Sequence, residues 1–218
     1  MTRDAGLIVL SYTRFGERSV VLHALSREWG RSGFIVRIGR SSEMSRFLPL
    51  SILEASVTEN PKSSLMRAGR ISTAEPLAGI RGNMYKNAMT MFMSEVLYRV
   101  IKDGTNEEGL YDWVLRSILT LDSMESDFSN YHIRFLLELA VTLGFSPAGE
   151  DMRPFAGEHL RQIMEMISLP FAESMLLPLR GADRTEICAA VLKYIEYHTE
   201  SAVNVKSLDV LKELFSRP

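Results

Sequence analysis

Cysteine is nearly absent from this sequence, since Cys188 is the only one among 218 residues. An internal disulfide is therefore excluded, and no paired-cysteine metal pattern is present. Apolar runs are also short, and none approaches the roughly 18 residues that a membrane-spanning helix requires. The first five residues lack the charged, apolar and cleavage regions of a signal peptide. We therefore expect a cytoplasmic protein that does not enter a membrane.

Catalytic signatures are absent as well. The sequence has no GxxxxGK phosphate loop, no GxGxxG fingerprint, no GxSxG elbow and no HExxH motif. Its histidines, at positions 23, 132, 159 and 198, stand alone, and none pairs with another at the spacing of metal ligands. We expect a protein that is not an enzyme and that carries no cofactor.

Charge is distributed unevenly along the chain. Residues 1–80 hold eleven Lys and Arg against seven Asp and Glu, whereas the remainder holds 14 basic and 20 acidic residues. The first part is therefore net positive and the second net negative, although the whole chain carries only −2. Such asymmetry indicates an anionic partner for the basic part.

The hydrophobic period of the first part is typical of strands. Strict alternation in Phe34, Val36 and Ile38 directs these side chains to one face and Arg37 to the other. Apolar runs bounded by glycine and polar residues predict five strands, over residues 6–12, 18–26, 32–38, 47–58 and 64–74. Five short strands in about 75 residues favour a small antiparallel barrel or a sandwich.

Beyond residue 80 the hydrophobic period changes to that of helices. The pattern predicts helices over residues 83–101, 107–121, 130–143, 158–167, 184–197 and 207–215. Asp183 is expected to cap the fifth of these helices, with Glu186 as its capping-box partner. The break falls near residues 76–83, so we expect a barrel domain over 1–79 and a helical domain over 80–218.

Arginine dominates the basic residues of the barrel. Seven arginines, no lysine and three glutamates lie between residues 14 and 46. Aromatic residues are interleaved with them or flank them: Tyr12, Phe15, Trp29, Phe34 and Phe47. The guanidinium group offers a planar fork of donors that matches phosphate, and it stacks on bases. Small barrels bind single strands with a basic groove and aromatic platforms. A solvated strand face with the aromatic residues in the core is the simpler interpretation, and the pattern leaves both open.

The order of these features resembles the RecO family of bacterial DNA repair proteins. The family's G-E-x-S turn corresponds to Gly16-Glu17-Arg18-Ser19, and its G-x-R strand ending corresponds to Gly39-Arg40. The segment 134–147, RFLLELAVTLGFSP, is similar to the family's helix ending, and 207–215, SLDVLKELF, is similar to its closing helix. The resemblance covers most of the chain.

The resemblance implies an α+β protein with an N-terminal five-stranded OB-fold β-barrel, followed by an all-helical domain. It implies a recombination mediator of DNA repair, nucleoid-associated, that binds single- and double-stranded DNA and anneals complementary strands. It also implies partners: the C-terminal tail of single-stranded-DNA-binding protein, RecR and, indirectly, the RecA recombinase. Many relatives carry a four-cysteine zinc site after the LGFxP segment. Residues 146–160 contain no cysteine here, so we expect no zinc.

Two sets of site residues follow from these expectations. The barrel is expected to hold phosphate groups with Arg14, Arg27, Arg31, Arg37, Arg40 and Arg46. The helical domain is expected to hold the partner tail, with its terminal aromatic residue and carboxylates, through Tyr85, Lys86, Met89 and Arg134. An RNA-binding barrel module and a non-catalytic protein adaptor are the alternative functions.

Overall fold

The chain forms two compact units in the computed structural model, which describes residues 2–39 and 41–215, with the backbone alone at 41–43. The first unit reaches Ala78 and also contains Ile101–Leu119, and the second contains Gly79–Val100 and the described residues from Thr120 onward. The sequence pattern places 101–119 among the helices of the second domain, whereas this segment groups with the barrel.

Five strands form the closed barrel of the first unit: β1 (Thr2–Arg14), β2 (Ser19–Ser26), β3 (Gly30–Arg37), β4 (Ile52–Thr58) and β5 (Leu65–Glu75). Their order around the barrel is β1-β2-β3-β5-β4, with β4 returning to β1. β3 and β5 pair in parallel, and the other neighbours are antiparallel, so the expectation of a purely antiparallel barrel is wrong at this one pair. The architecture confirms the α+β expectation, an OB-fold barrel followed by helices.

The interior of the barrel is filled by alternating residues of all five strands, as the period of two requires. Phe34 and Val36 of β3 point inward and are almost fully buried, which confirms the sequence interpretation of this strand. Members from the other strands are Leu7, Val9, Val20, Leu22, Leu53, Val57, Met66 and Ala68. Arg37, the next residue along β3, is exposed.

A short 3-10 helix, Ser41–Phe47, precedes β4 and replaces the start of the strand predicted over residues 47–58. Phe47 and Leu50 are buried because they join the core from this connection, not because they alternate in a strand. Leu50 adopts a left-handed φ of 56°, which ends any extended conformation before Ile52. Their apolar side chains explain why the sequence pattern extends the strand too far.

The helices are α1 (Ala78–Arg81), α2 (Met84–Val100), α3 (Leu110–Ser123), α4 (Tyr131–Thr142), α5 (Gly149–Ala156), α6 (Leu160–Ser168), α7 (Phe171–Met175), α8 (Gly181–Thr199) and α9 (Ser207–Phe215). Helix α5 contains Pro154, which discourages a helix in the sequence pattern. Helix α8 begins before the predicted start, so Asp183 lies in its first turn and accepts a hydrogen bond from the Arg180 backbone N–H at 3.1 Å. The predicted role of Asp183 as the N-cap residue is therefore wrong.

The core of the second unit includes the methionine-rich face of α2. Met89, Phe92 and Met93 are fully buried there. No helix in the described ranges is both long and apolar enough to span a bilayer.

Candidate nucleic-acid interface

A first basic groove lies beside the hairpin between β1 and β2, and we call it the hairpin groove. Its volume is about 380 Å³, and it is lined by Arg14, Gly16, Glu17, Arg18, Ser19, Ile38, Gly39 and Met44. The tight turn brings the two arginines to the same rim, because the Phe15 N–H donates to the Ser19 carbonyl at 2.9 Å. Both arginine side chains are exposed.

A second groove, the arginine groove, has a volume of about 320 Å³ and is lined by Val36, Arg37, Arg46, Phe47, Ala68, Gly69, Arg70 and Ile71. Three arginines from three different elements converge on it, and none of the described residues that line it is acidic. Arg46 Nη1 donates to the Ile71 carbonyl at 3.3 Å. Arg37 and Arg70 form no ion pair within the described part of the chain.

The two grooves adjoin the same end of β3. Arg37 pairs with Ser19 in the β2–β3 ladder, and the Ile38 N–H donates to the Arg18 carbonyl at 2.9 Å. The 3-10 helix contributes Met44 to the hairpin groove and Arg46 to the arginine groove. We call the region formed by the two grooves the basic end of the barrel.

A third groove of the barrel has the opposite charge. Its volume is about 570 Å³, and Asp4, Glu28 and Glu54 line it together with Arg70. Carboxylates repel phosphate, so this groove does not suit a nucleic-acid backbone. Carboxylates therefore predominate in this groove and arginines at the basic end, while Arg70 lines both this groove and the arginine groove.

Arg27 and Arg31, both expected in the phosphate site, bind the 101–119 segment of their own unit. Arg27 Nη1 lies 2.5 Å from Asp112 Oδ2, and the guanidinium carbon lies 5.0 Å from the centre of the Tyr111 ring. Arg31 Nη1 donates to the Ile101 carbonyl at 2.6 Å. These contacts explain both arginines structurally, since they fasten the segment to the barrel.

The remaining expected arginines are Arg14, Arg37, Arg46 and Arg40. The structure brings the first three to the basic end, whereas Arg40 lies outside the described residues. Sequence reasoning did not include Arg18 and Arg70 in the site. Arg18 could have been found in the G-E-x-S turn, next to Arg14 in a hairpin. Arg70 has no comparable signal, because its place depends on the parallel pairing of β5 with β3.

Lys86, expected in the tail site, is buried and caps the end of α3. Its Nζ donates to the carbonyls of Asp122 and Met124, and it lies 5.3 Å from the centre of the Phe128 ring. Burial lowers the pKa of Lys86, while the Asp122 and Glu125 carboxylates act in the opposite direction. The ammonium group is therefore engaged within its own unit.

The other three tail candidates also have contacts within the second unit. Met89 is fully buried, and the Tyr85 ring packs on Phe215 with the ring centres 5.4 Å apart. Arg134 pairs with Glu138 at 2.6 Å, and its Nη1 donates to the carbonyl of Met166 at 2.6 Å near the end of α6. These contacts account for the residues structurally, and their role toward a partner stays a prediction.

One group of side chains among the described residues could supply metal ligands. Glu158, His159 and Glu186 offer ligand atoms within 4.8 Å of one another. His159 Nε2 lies 2.8 Å from Glu186 Oε2, so a hydrogen bond already explains this pair, and both carboxylates are exposed. The expected absence of zinc stays a prediction.

Comparison with known proteins agrees with this architecture. The family description "Recombination protein O N terminal" matches residues 1–79, and "Recombination protein O C terminal" matches residues 81–152. The proteins named "DNA repair protein RecO" of Bacteroides fragilis and Phocaeicola vulgatus are 26% and 28% identical over 234 residues, covering 95% and 96% of this chain and 97% of each relative. The same-named protein of Flavobacterium johnsoniae is 28% identical over 232 residues, covering 96% of this chain and 97% of the relative. The chain belongs to the RecO family of DNA repair proteins.

Proposed function

We propose that this protein is a DNA-binding recombination mediator that anneals complementary strands without catalysing a reaction, and that it works at the nucleoid. The observation that carries the proposal is the arginine groove, where Arg37, Arg46 and Arg70 converge with no described acidic residue. Arginine at an exposed groove of an OB-fold barrel suits the binding of a phosphate backbone.

Annealing requires that two repelling strands come together. Arginines on phosphate groups reduce this repulsion and release counterions, and they do so for any sequence. Contacts to base edges would instead favour one sequence and hold one strand. A surface of arginines therefore suits an annealing protein better than one that reads bases.

We infer that the helical unit and the barrel act with protein partners, as family membership suggests. The partners are the C-terminal tail of single-stranded-DNA-binding protein and RecR, and the outcome is the loading of RecA. Because Lys86, Met89 and Arg134 have contacts inside the second unit, other exposed side chains of that unit are better candidates for the tail contact.

The phosphate assignment is tested with the double variant Arg37→Ala/Arg46→Ala. We expect affinity for single- and double-stranded DNA to fall about 5- to 30-fold, equivalent to about 0.5–1 kcal/mol for each arginine. The slope of log affinity against log salt for single strands should fall by about 1.4, or about 0.7 for each lost phosphate contact. Anisotropy titrations at several salt concentrations measure both quantities.

The matched control is Arg153→Ala/Arg161→Ala, which removes the same charge from exposed positions of the second unit. It should leave the affinity and the salt slope near their original values. If both double variants weaken binding equally, the effect comes from net charge and the assignment to the basic end is refuted.

The mediator function is tested by annealing DNA coated with single-stranded-DNA-binding protein. We expect the protein to anneal these strands, and RecR to promote the formation of RecA filaments on them. Matched RNA strands should bind more weakly than DNA. A stronger affinity for RNA would favour the RNA-binding alternative, and an absence of nucleic-acid binding would favour the adaptor.

A further inference from the structure

Phe15 lies at the tip of the β1–β2 hairpin, directly after the last residue of β1. The Phe15 N–H donates to the Ser19 carbonyl at 2.9 Å, which closes the turn. The next residue, Gly16, adopts a left-handed φ of 69° that suits glycine. The ring is therefore presented from a hydrogen-bonded turn.

Phe15 is 58% exposed. All ten phenylalanines of the chain lie in the described part, and the other nine are buried or half-buried. An exposed phenyl ring adds little to the core, since apolar side chains stabilise a fold through the area that they remove from water. Packing therefore does not account for an aromatic residue at this tip.

Arginines lie on both sides of Phe15 in the chain. Its neighbour Arg14 lines the hairpin groove together with Arg18 and Glu17. Tyr12, which is 44% exposed, lies on the same face of β1 as Arg14, two residues away. An exposed ring next to arginines in the chain is a combination that suits single-strand binding, which uses a positively charged groove and aromatic side chains on which bases stack.

We propose that Phe15 stacks on an unpaired base of single-stranded DNA while Arg14 and Arg18 hold the adjacent phosphates. The inference rests on the proposed function and adds to it a preference for the single strand. Within a duplex both faces of a base are covered by neighbouring base pairs, so a stacking ring has nothing to bind there. Phosphate contacts by arginines, in contrast, are possible on both forms.

The test is the variant Phe15→Ala, compared with Phe15→Trp and Phe15→Leu. We expect Phe15→Ala to weaken the binding of an oligothymidylate about 5- to 150-fold, the equivalent of about 1–3 kcal/mol for one stacked base. Affinity for a duplex of the same length should not change. Phe15→Trp should retain single-strand affinity, and Phe15→Leu should lose most of it because leucine has no π face.

Controls separate this inference from its alternatives. Tyr197→Ala removes a 70% exposed aromatic residue of the second unit and should leave both affinities unchanged. Equal losses for single strand and duplex in Phe15→Ala, or full affinity in Phe15→Leu, would overturn the stacking role. If Phe15→Ala binds normally while Arg37→Ala/Arg46→Ala does not, the proposed function stands and only the stacking inference fails.

Discussion

Substitution of Gly30 by alanine should detach the 101–119 segment from the barrel. Gly30 begins β3 with a left-handed φ of 58°. A Cβ atom at this position would lie 2.6 Å from the carbonyl carbon of Thr105 and closer still to its oxygen. These are main-chain atoms, so no change of rotamer relieves the clash.

The magnitude follows from two contributions. A side chain in the left-handed region costs about 1–2 kcal/mol. Overpacking against backbone atoms costs about 1–3 kcal/mol more. The clash also strains the hydrogen bond that the Gly104 N–H donates to the Arg31 carbonyl at 2.8 Å. We expect the free energy of unfolding to fall by about 2–5 kcal/mol, a large part of the 5–15 kcal/mol typical of a domain.

Urea unfolding followed by tryptophan fluorescence measures this loss, because both tryptophans, Trp29 and Trp113, belong to the first unit. The matched control is Gly16→Ala, since Gly16 has a similar φ of 69° but no heavy atom within 4 Å of the added Cβ. Only the backbone contribution of about 1–2 kcal/mol should appear in the control. Equal losses for Gly30→Ala and Gly16→Ala would refute the close approach of Thr105.

Two further predictions concern the second unit. Although burial raises the pKa of Glu95, hydrogen bonds from Ser207 and Lys206 outweigh it and hold that pKa below its ordinary value. The difference in free energy of unfolding between the original protein and Glu95→Gln should therefore be fully present above about pH 4.5 and should shrink as the pH falls further. Urea unfolding that gives the same difference at every pH would contradict this. Asn130 is buried, its side-chain amide N–H groups donate to three carbonyls near the end of α7, and its side-chain carbonyl accepts from Arg184. We therefore expect Asn130→Ala to lower the free energy of unfolding by about 2–4 kcal/mol. A loss below about 1 kcal/mol, measured by calorimetry, would contradict this.

The order of strands and helices was predictable because it depends on local periodicity. Phe34, Val36 and Ile38 alternate with Arg37, and a period of two permits one interpretation of that segment. Connections between strands do not follow the period of two, so the residues that they contribute to the core were not predictable. Phe47 and Leu50 are apolar like strand residues, but they reach the core from a 3-10 helix and a left-handed turn.

The candidate site was predictable only in part. Arg14, Arg37 and Arg46 meet at the basic end, as the concentration of arginines in the sequence indicates. Arg27 and Arg31 have the same local composition around them but bind a segment about 70 or more residues away. No local pattern shows which arginine of a set has a distant partner.

The sequence by itself determined the two-part order of strands and helices, the net charge of each part and the family resemblance, since these depend on neighbouring residues and on composition. Only the tertiary structure decided which arginines meet at the basic end and which have partners inside their own unit. That choice depends on barrel closure through the parallel β3–β5 pair, which adds Arg70 to the arginine groove, and on the 101–119 segment, which binds Arg27 and Arg31. Both are contacts between residues far apart in the chain, where a short-range pattern carries no information.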